Sequence, residues 1–210
     1  MSGMATTLDL RVCELLMARL CHDFAGPIAA IGNGAELLDD DDPAFVRQAA
    51  TLIGESAGSA AKRLQLFRFA FGFSAGAVAG PQPHTLAAEY FAGGNVAVDY
   101  TEAVRCLAPE WQRLGCLLLL IASEALPRGG MLTLNAEPAG PVVAAAGDSD
   151  RLSPEMLGAL KLQATSDALT SRSVTPYFAG LLAQSLGRRL AAAAMPGGFR
   201  IFCEPAGAAG

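Results

Sequence analysis

The chain has 210 residues, 52% of them hydrophobic, which suits one medium domain or two small ones and argues against global disorder. The net charge of −5 and the lack of a long basic run argue against nucleic acid as the main partner. The most apolar run, LLLLIA from position 117, is far shorter than the roughly 20 residues that cross a bilayer. No signal-peptide pattern opens the sequence and the five cysteines form no CxxC pair, so we expect a cytoplasmic protein with reduced thiols.

The first predicted element is a long helix with one apolar stripe. Stripe residues recur at steps of three and four: Leu10, Cys13, Met17, Leu20, Phe24, Ile28, Ile31, Ala35 and Leu38. The pattern stops at Asp39–Pro43, where four carboxylates repel one another before a proline. A second helical pattern runs from about Ala44 to Phe71, so the two helices should form an antiparallel hairpin.

One hairpin cannot bury two apolar stripes by itself. We therefore expect two copies to pair as a homodimer with a four-helix bundle. The alternative is that the stripes pack on the C-terminal half of the same chain.

A Gly-, Ala- and Pro-rich stretch, Ser74–Pro83, predicts a linker between a hairpin domain at 1–75 and a second domain at 83–205. The second domain has predicted helices at 85–91, from Pro109 to Leu126, from Ser153 onward and at 175–186, and strands at 96–100, 131–136, 142–146, 188–194 and 199–204. Helices interleaved with a mixed sheet predict an α/β sandwich, which makes the whole chain α+β.

His22 is the candidate for chemistry, because it lies on the first helix beside the apolar stripe rather than in it. Its helical neighbours are mostly small: Ala18, Arg19, Ala25, Gly26 and Ala29. A globular partner could therefore bring a reactive atom close to the ring, as in-line phosphoryl transfer requires. Asp23 can accept the N–H of the ring and leave the other nitrogen free to attack. Cys13, Cys21 and His22 lack a fourth ligand at a standard spacing, so no metal site is expected.

The box formed by His22, Asp23 and Pro27, H-D-x-x-x-P, resembles the phospho-acceptor box of dimeric sensor histidine kinases. The segment LLLLIASEALPRGG, from position 117, resembles their ATP-binding helix, but Ile121 stands where those kinases have a magnesium-binding asparagine. The nucleotide boxes align with Gly147–Arg151 and Pro176–Gly180, which lack most of the glycines that let a backbone approach phosphate. The resemblance thus implies a kinase-like domain that does not bind ATP.

A histidine-bearing hairpin joined to a degenerate kinase-like domain is similar to the ChpT family of histidine phosphotransferases. The segments ARLCHDF at 18–24, ALPRGG at 125–130 and TPYFAGLL at 175–182 carry this resemblance, which spans about Leu15 to Phe202. It implies a phosphoryl carrier between the receiver domains of a hybrid histidine kinase and of response regulators in a bacterial phosphorelay.

The same resemblance implies roles for three residues: His22 carries the phosphoryl group, Asp23 orients the ring and Arg19 screens charge. It implies no cofactor in this chain, since Mg²⁺ is held by the partner receiver. Leu15, Leu16 and Ala25 are expected in the docking surface. Two alternatives stay open: an active sensor kinase core, which would bind ATP, and a non-catalytic dimeric scaffold that docks receivers.

Overall fold

The computed structural model describes residues 9–72, 81–149 and 151–207. It begins with a helical hairpin made of α1 (Leu10–Glu36) and α2 (Pro43–Phe71), joined through a 3-10 turn at Leu37–Asp39. The side chains of Asp9 and Asp42 cap the two helices by accepting backbone N–H groups of the first turns. No helix in the described residues is long and apolar enough to cross a membrane.

The two helices of the hairpin run antiparallel and pack closely. Near the turn, a Cβ added to Gly34 would lie 2.7 Å from Cγ1 of Ile53, so glycine allows α1 to approach α2 there. At the other end, Phe24 on α1 packs edge-to-face on Phe67 of α2 with ring centroids 5.9 Å apart. These contacts confirm the predicted hairpin.

The C-terminal half is a five-stranded sheet covered by helices on its inner face. Its elements are α3 (Pro83–Phe91), β1 (Val96–Tyr100), α4 (Glu102–Arg105), α5 (Pro109–Glu124), β2 (Gly130–Glu137), β3 (Gly140–Gly147), α6 (Pro154–Leu160), α7 (Val174–Ser185), β4 (Arg188–Met195) and β5 (Gly198–Pro205). The strand order is β1-β2-β3-β5-β4, with β1 parallel to β2 and the other neighbours antiparallel. Helix α5 is buried along residues 114–122 because its sequence is apolar on all sides.

The arrangement confirms the predicted α+β class. The predicted strands, and the predicted helices near α3, α5 and α7, end within two residues of their observed limits, whereas the short α4 was not predicted. The predicted linker falls mainly on residues 73–80, which lie outside the described residues, so the domain limits at 1–75 and 83–205 stay predictions.

The end of the hairpin is attached to the C-terminal half through a shared core. Leu66, Phe67 and Ala70 of α2 belong to the same buried cluster as the leucines of α5. Arg113 on α5 donates hydrogen bonds to the carbonyls of Ala70 and Phe71, which lack partners in the last turn of α2. The base of the hairpin is therefore fixed on the sheet-bearing half.

The apolar stripe of α1 is divided between two environments. Leu20 and Phe24 pack against the core that α2 shares with the C-terminal half, and Phe24 contacts Phe67 of α2, so this part of the stripe is covered within one chain. Met17 and Ile28 are each 60% exposed, and Phe45 on α2 is 52% exposed. One chain alone leaves this second part of the stripe in contact with solvent.

Candidate active site

His22 stands in the middle of α1 with 83% of its side chain exposed. The four small neighbours predicted from the helical spacing, Ala18, Ala25, Gly26 and Ala29, are all exposed. At Gly26, an added Cβ would meet no atom within 4 Å outside its own helix. The imidazole is therefore accessible to a protein partner from the side of α1 that faces away from the core.

Asp23 is the immediate partner of His22. Its carboxylate is only 13% exposed, and its Oδ1 lies 3.4 Å from Nδ1 of the imidazole, near the far limit of a hydrogen bond. With the proton on Nδ1, the ring donates to Asp23 and its Nε2 carries the free lone pair. Among the described residues, none donates to or accepts from Nε2.

Arg19 lies one turn before Asp23 and contacts two carboxylates. Its Nε donates to Oδ2 of Asp23 at 3.0 Å, and its Nη2 donates to Oε1 of Glu124 at 2.6 Å. Burial opposes the guanidinium charge, but the carboxylates of Glu124 and Asp23 outweigh it and raise the pKa of Arg19. A charge-screening role for Arg19 stays a prediction; in this structure its guanidinium is occupied by the protein's own carboxylates.

Glu124, the last residue of α5, is the site residue that sequence reasoning missed. Its Oε2 also accepts from Nη1 of Arg19 at 3.4 Å, which gives a fork-to-fork pair. Burial raises the pKa of Glu124, with Asp23 acting in the same direction and Arg19 acting against it. The signal available in the sequence was an acidic residue shortly after an apolar run at 114–122, without any indication of its partner.

The predicted docking surface needs one correction. Leu15 is only 8% exposed, because it packs with Val12 of α1 against Ala159, Leu169 and Val174 of the C-terminal half. It therefore anchors α1 and offers no surface to a partner. Leu16 is partly buried against the same cluster, and Ala25 is exposed.

A groove of about 800 Å³ lies beside α1, and Asp148 and Ser149 of the first aligned nucleotide box are among its lining residues. Arg19, Glu124, Asp148 and Arg172 line part of it. Ile121, at the position of the magnesium-binding asparagine, is fully buried in the core and turns no ligand toward the groove. No group of three or more His, Cys, Asp or Glu side chains within 9–72, 81–149 and 151–207 is placed to hold a metal ion.

The second aligned nucleotide box has a packing function. Residues 176–180 lie inside α7 rather than in a loop before it. A Cβ at Gly180 would come within 2.7 Å of the carbonyl oxygen of Leu160, so this glycine lets α7 approach the end of α6. The remaining glycine of the box is therefore required by helix packing, and it presents no cradle to a phosphate.

Comparisons with known proteins place this chain in a family. Residues 82–197 match the protein family described as histidine phosphotransferase C-terminal domain. Over 201 residues the chain is 35% identical to Protein phosphotransferase ChpT of Brucella abortus (strain 2308), covering 90% of this chain and 93% of the relative. The chain belongs to the ChpT-type histidine phosphotransferases.

The histidine phosphotransferase fold extends over both halves of the chain. A solved structure of a bacterial phosphotransferase aligns with a TM-score of 0.76 at 30% identity, covering 97% of this chain and 100% of that chain. The family match begins at residue 82 and thus covers the C-terminal half, whereas His22 lies outside it. Both full-length similarities include the hairpin.

Proposed function

We propose that this histidine phosphotransferase carries a phosphoryl group on His22 between the aspartates of two receiver domains. The observation that carries the proposal is the exposed imidazole on an open helix face, with Asp23 3.4 Å from its Nδ1. A receiver domain is a globular partner with a concave acidic site, and such a partner needs an accessible acceptor more than a deep pocket. In-line phosphoryl transfer depends mainly on positioning and charge neutralisation.

The chemical step balances without a cofactor in this chain. The lone pair of Nε2 attacks the phosphorus of the receiver's acyl phosphate, an N–P bond forms, and the P–O bond to the receiver's aspartate breaks to return a carboxylate. The proton on Nδ1 stays in place, and the negative charge of Asp23 stabilises the resulting positive ring. The reverse step passes the group to a second receiver, and Mg²⁺ held by the receiver neutralises the phosphoryl oxygens.

The partners we propose are the receivers of a hybrid histidine kinase and of response regulators in a bacterial phosphorelay. The C-terminal half would supply a second docking surface beside α1, where the groove contains both acidic and basic side chains. This role agrees with a cytoplasmic location.

We also propose that a second copy of the chain covers the open part of the apolar stripe. The exposed apolar side chains on the hairpin are Leu10, Met17, Ile28, Leu37, Leu38, Phe45, Leu52 and Leu64. Isolated apolar side chains on a surface are ordinary, but a row of this kind along two packed helices is typical of a bundle interface. A symmetric pair of hairpins would form a four-helix bundle with one His22 on each side.

The test is a transfer time course from a phosphorylated receiver, run with the wild type and His22→Ala in parallel. We expect acid-labile, alkali-stable label on the wild type and none on the variant. A receiver that binds both proteins while neither takes label would indicate the non-catalytic scaffold instead. Label that the wild type takes from ATP would indicate a sensor kinase core.

A further inference from the structure

We infer that Glu124, on the C-terminal half, is a positioning residue for phosphotransfer, because it holds Arg19 and through it holds Asp23 against the ring of His22. This inference rests on the proposed role of His22. It assigns a part in the chemistry to the half of the chain that matches the histidine phosphotransferase C-terminal domain.

The contacts form one continuous path from α5 to the imidazole. The carboxylate of Glu124 receives Nη2 of Arg19 at 2.6 Å and Nη1 at 3.4 Å. The Nε of the same guanidinium donates to Oδ2 of Asp23 at 3.0 Å, and the other oxygen of Asp23 lies 3.4 Å from Nδ1 of His22. Because the guanidinium is planar, fixing its two terminal nitrogens also fixes the direction of Nε.

Arg19 and Asp23 alone would not hold this geometry. They are separated by four residues on one helix, and such a pair contributes little when both side chains are free to move in solvent. The anchor on Glu124 comes from a residue 105 positions away, on a helix that is buried in the core. The carbonyl of Ser171 adds a weaker contact to Nη1 at 3.5 Å. The C-terminal half therefore limits the rotamers of Arg19 and Asp23.

Burial and the neighbouring charges act in opposite directions on the carboxylate of Glu124. Glu124 is 24% exposed, and burial raises its pKa despite the neighbouring Arg19. Asp23 on α1 repels the negative charge of Glu124, and Arg172, which precedes α7, attracts it. The hydroxyl of Tyr90 on α3 also interacts electrostatically with Glu124, Asp23 and Arg19. A raised pKa means that the charged form is less favourable here than in water. The pKa of Arg19 is raised despite burial, because its pairing with Glu124 and Asp23 favours the guanidinium charge.

The experiment compares wild type with Glu124→Gln under single-turnover conditions with saturating phosphorylated receiver. Loss of the paired charged hydrogen bonds between Glu124 and Arg19 should allow Arg19 and Asp23 to move. We expect the transfer rate to fall about tenfold. The receiver concentration at half-saturation should stay the same. Glu124→Asp, which keeps the charge, should restore part of the rate. The matched control is Glu110→Gln, an exposed carboxylate in the first turn of the same helix, which should transfer like the wild type.

A second readout uses the free protein and needs no receiver. The tautomer of His22, measured by ¹⁵N nuclear magnetic resonance, should be mainly Nδ1–H in the wild type and more evenly mixed in Glu124→Gln. A purely structural role for Glu124 would leave this tautomer ratio unchanged.

The outcomes separate this inference from the proposed function. Unchanged rate and tautomer in Glu124→Gln, with His22→Ala unlabelled, would overturn the positioning role and leave the carrier role intact. A change in half-saturation alone would make Glu124 a docking residue and would also overturn it. If the wild type took no label, the carrier role would fail, and the tautomer ratio would still decide whether Glu124 acts on the ring.

Discussion

The two halves of α1 differ in what holds them, and His22 lies close to the division between them. Before His22, Val12 and Leu15 are buried against the C-terminal half. Beyond it, the helix packs on α2, with Gly34 as its only buried residue there. In the proposed function, the anchored half gives a fixed position to the ring of His22, and Ile28 on the other half belongs to the apolar face that a second copy would cover. The proposed chemistry and the proposed assembly would then share one helix.

The largest effect is expected where the hairpin is fixed to the core. Phe67 is 6% exposed and contacts the rings of Phe24, Phe71 and Tyr90. Phe67→Ala should lower the free energy of unfolding by about 3–5 kcal/mol, because it leaves a cavity at the junction of the two halves. Urea unfolding at one fixed protein concentration measures this. Met131→Ala, on the open face of the sheet, is the control and should cost less than about 1 kcal/mol. Equal losses in the two variants would show that the junction is not a tight core.

Removal of the ring's carboxylate partner is the next largest change. Asp23→Ala should reduce the single-turnover transfer rate about 100-fold, because the tautomer and the positive charge on the phosphorylated ring lose their partner. Asp23→Asn should fall between this variant and the wild type, since an amide oxygen accepts the N–H but carries no charge. A wild-type rate in Asp23→Ala would remove Asp23 from the mechanism.

These residues also show how far the sequence leads. His22, Asp23 and Arg19 could be grouped from the sequence because they lie within one turn of one helix, where spacing fixes proximity. Glu124 could not be added, because its contact with Arg19 depends on how α5 docks beside α1. Sequence patterns carry no information on such a distant pairing.

The fold could be predicted more completely than the contacts within it. Strand and helix limits followed from local patterns, since alternation and turn residues act over a few positions. The placement of Leu15 in the docking surface was wrong for a different reason. An apolar side chain on a helix signals that something covers it, but it does not say whether that is the same chain or a partner.

A substitution on the half of α1 beyond His22 is expected to change the transfer rate less than it changes self-association. Ile28→Asp places an unpaired carboxylate on the open apolar face and should weaken self-association at least about tenfold. The transfer rate at saturating receiver should change less than about threefold, because Arg19, Asp23 and Glu124 come from the same chain as His22. Light scattering over a dilution series measures the first quantity and single-turnover assays the second. An unchanged mass would place the dimer contact elsewhere.

The smallest effect is a pH dependence of stability that belongs to Glu124. Burial raises the folded-state pKa of Glu124 above its ordinary value of 4.5. Ionisation of Glu124 is then more favourable in the unfolded chain than in the folded one. The stability that this group contributes is therefore complete below pH 4.5 and is lost as the pH rises through the folded-state pKa. Glu124→Gln has no such loss. The Tm of this variant relative to the wild type should therefore increase from about pH 4 to pH 7.

The direction of that shift distinguishes two reasons for keeping the carboxylate. A relative Tm that falls with rising pH would mean that ionised Glu124 stabilises the fold through Arg19, as in an ordinary salt bridge. A relative Tm of Glu124→Gln that rises with pH, together with slower transfer by this variant, would mean that the charge of Glu124 weakens the fold. The protein would then keep this charge because it holds the His22 side of α1 in place.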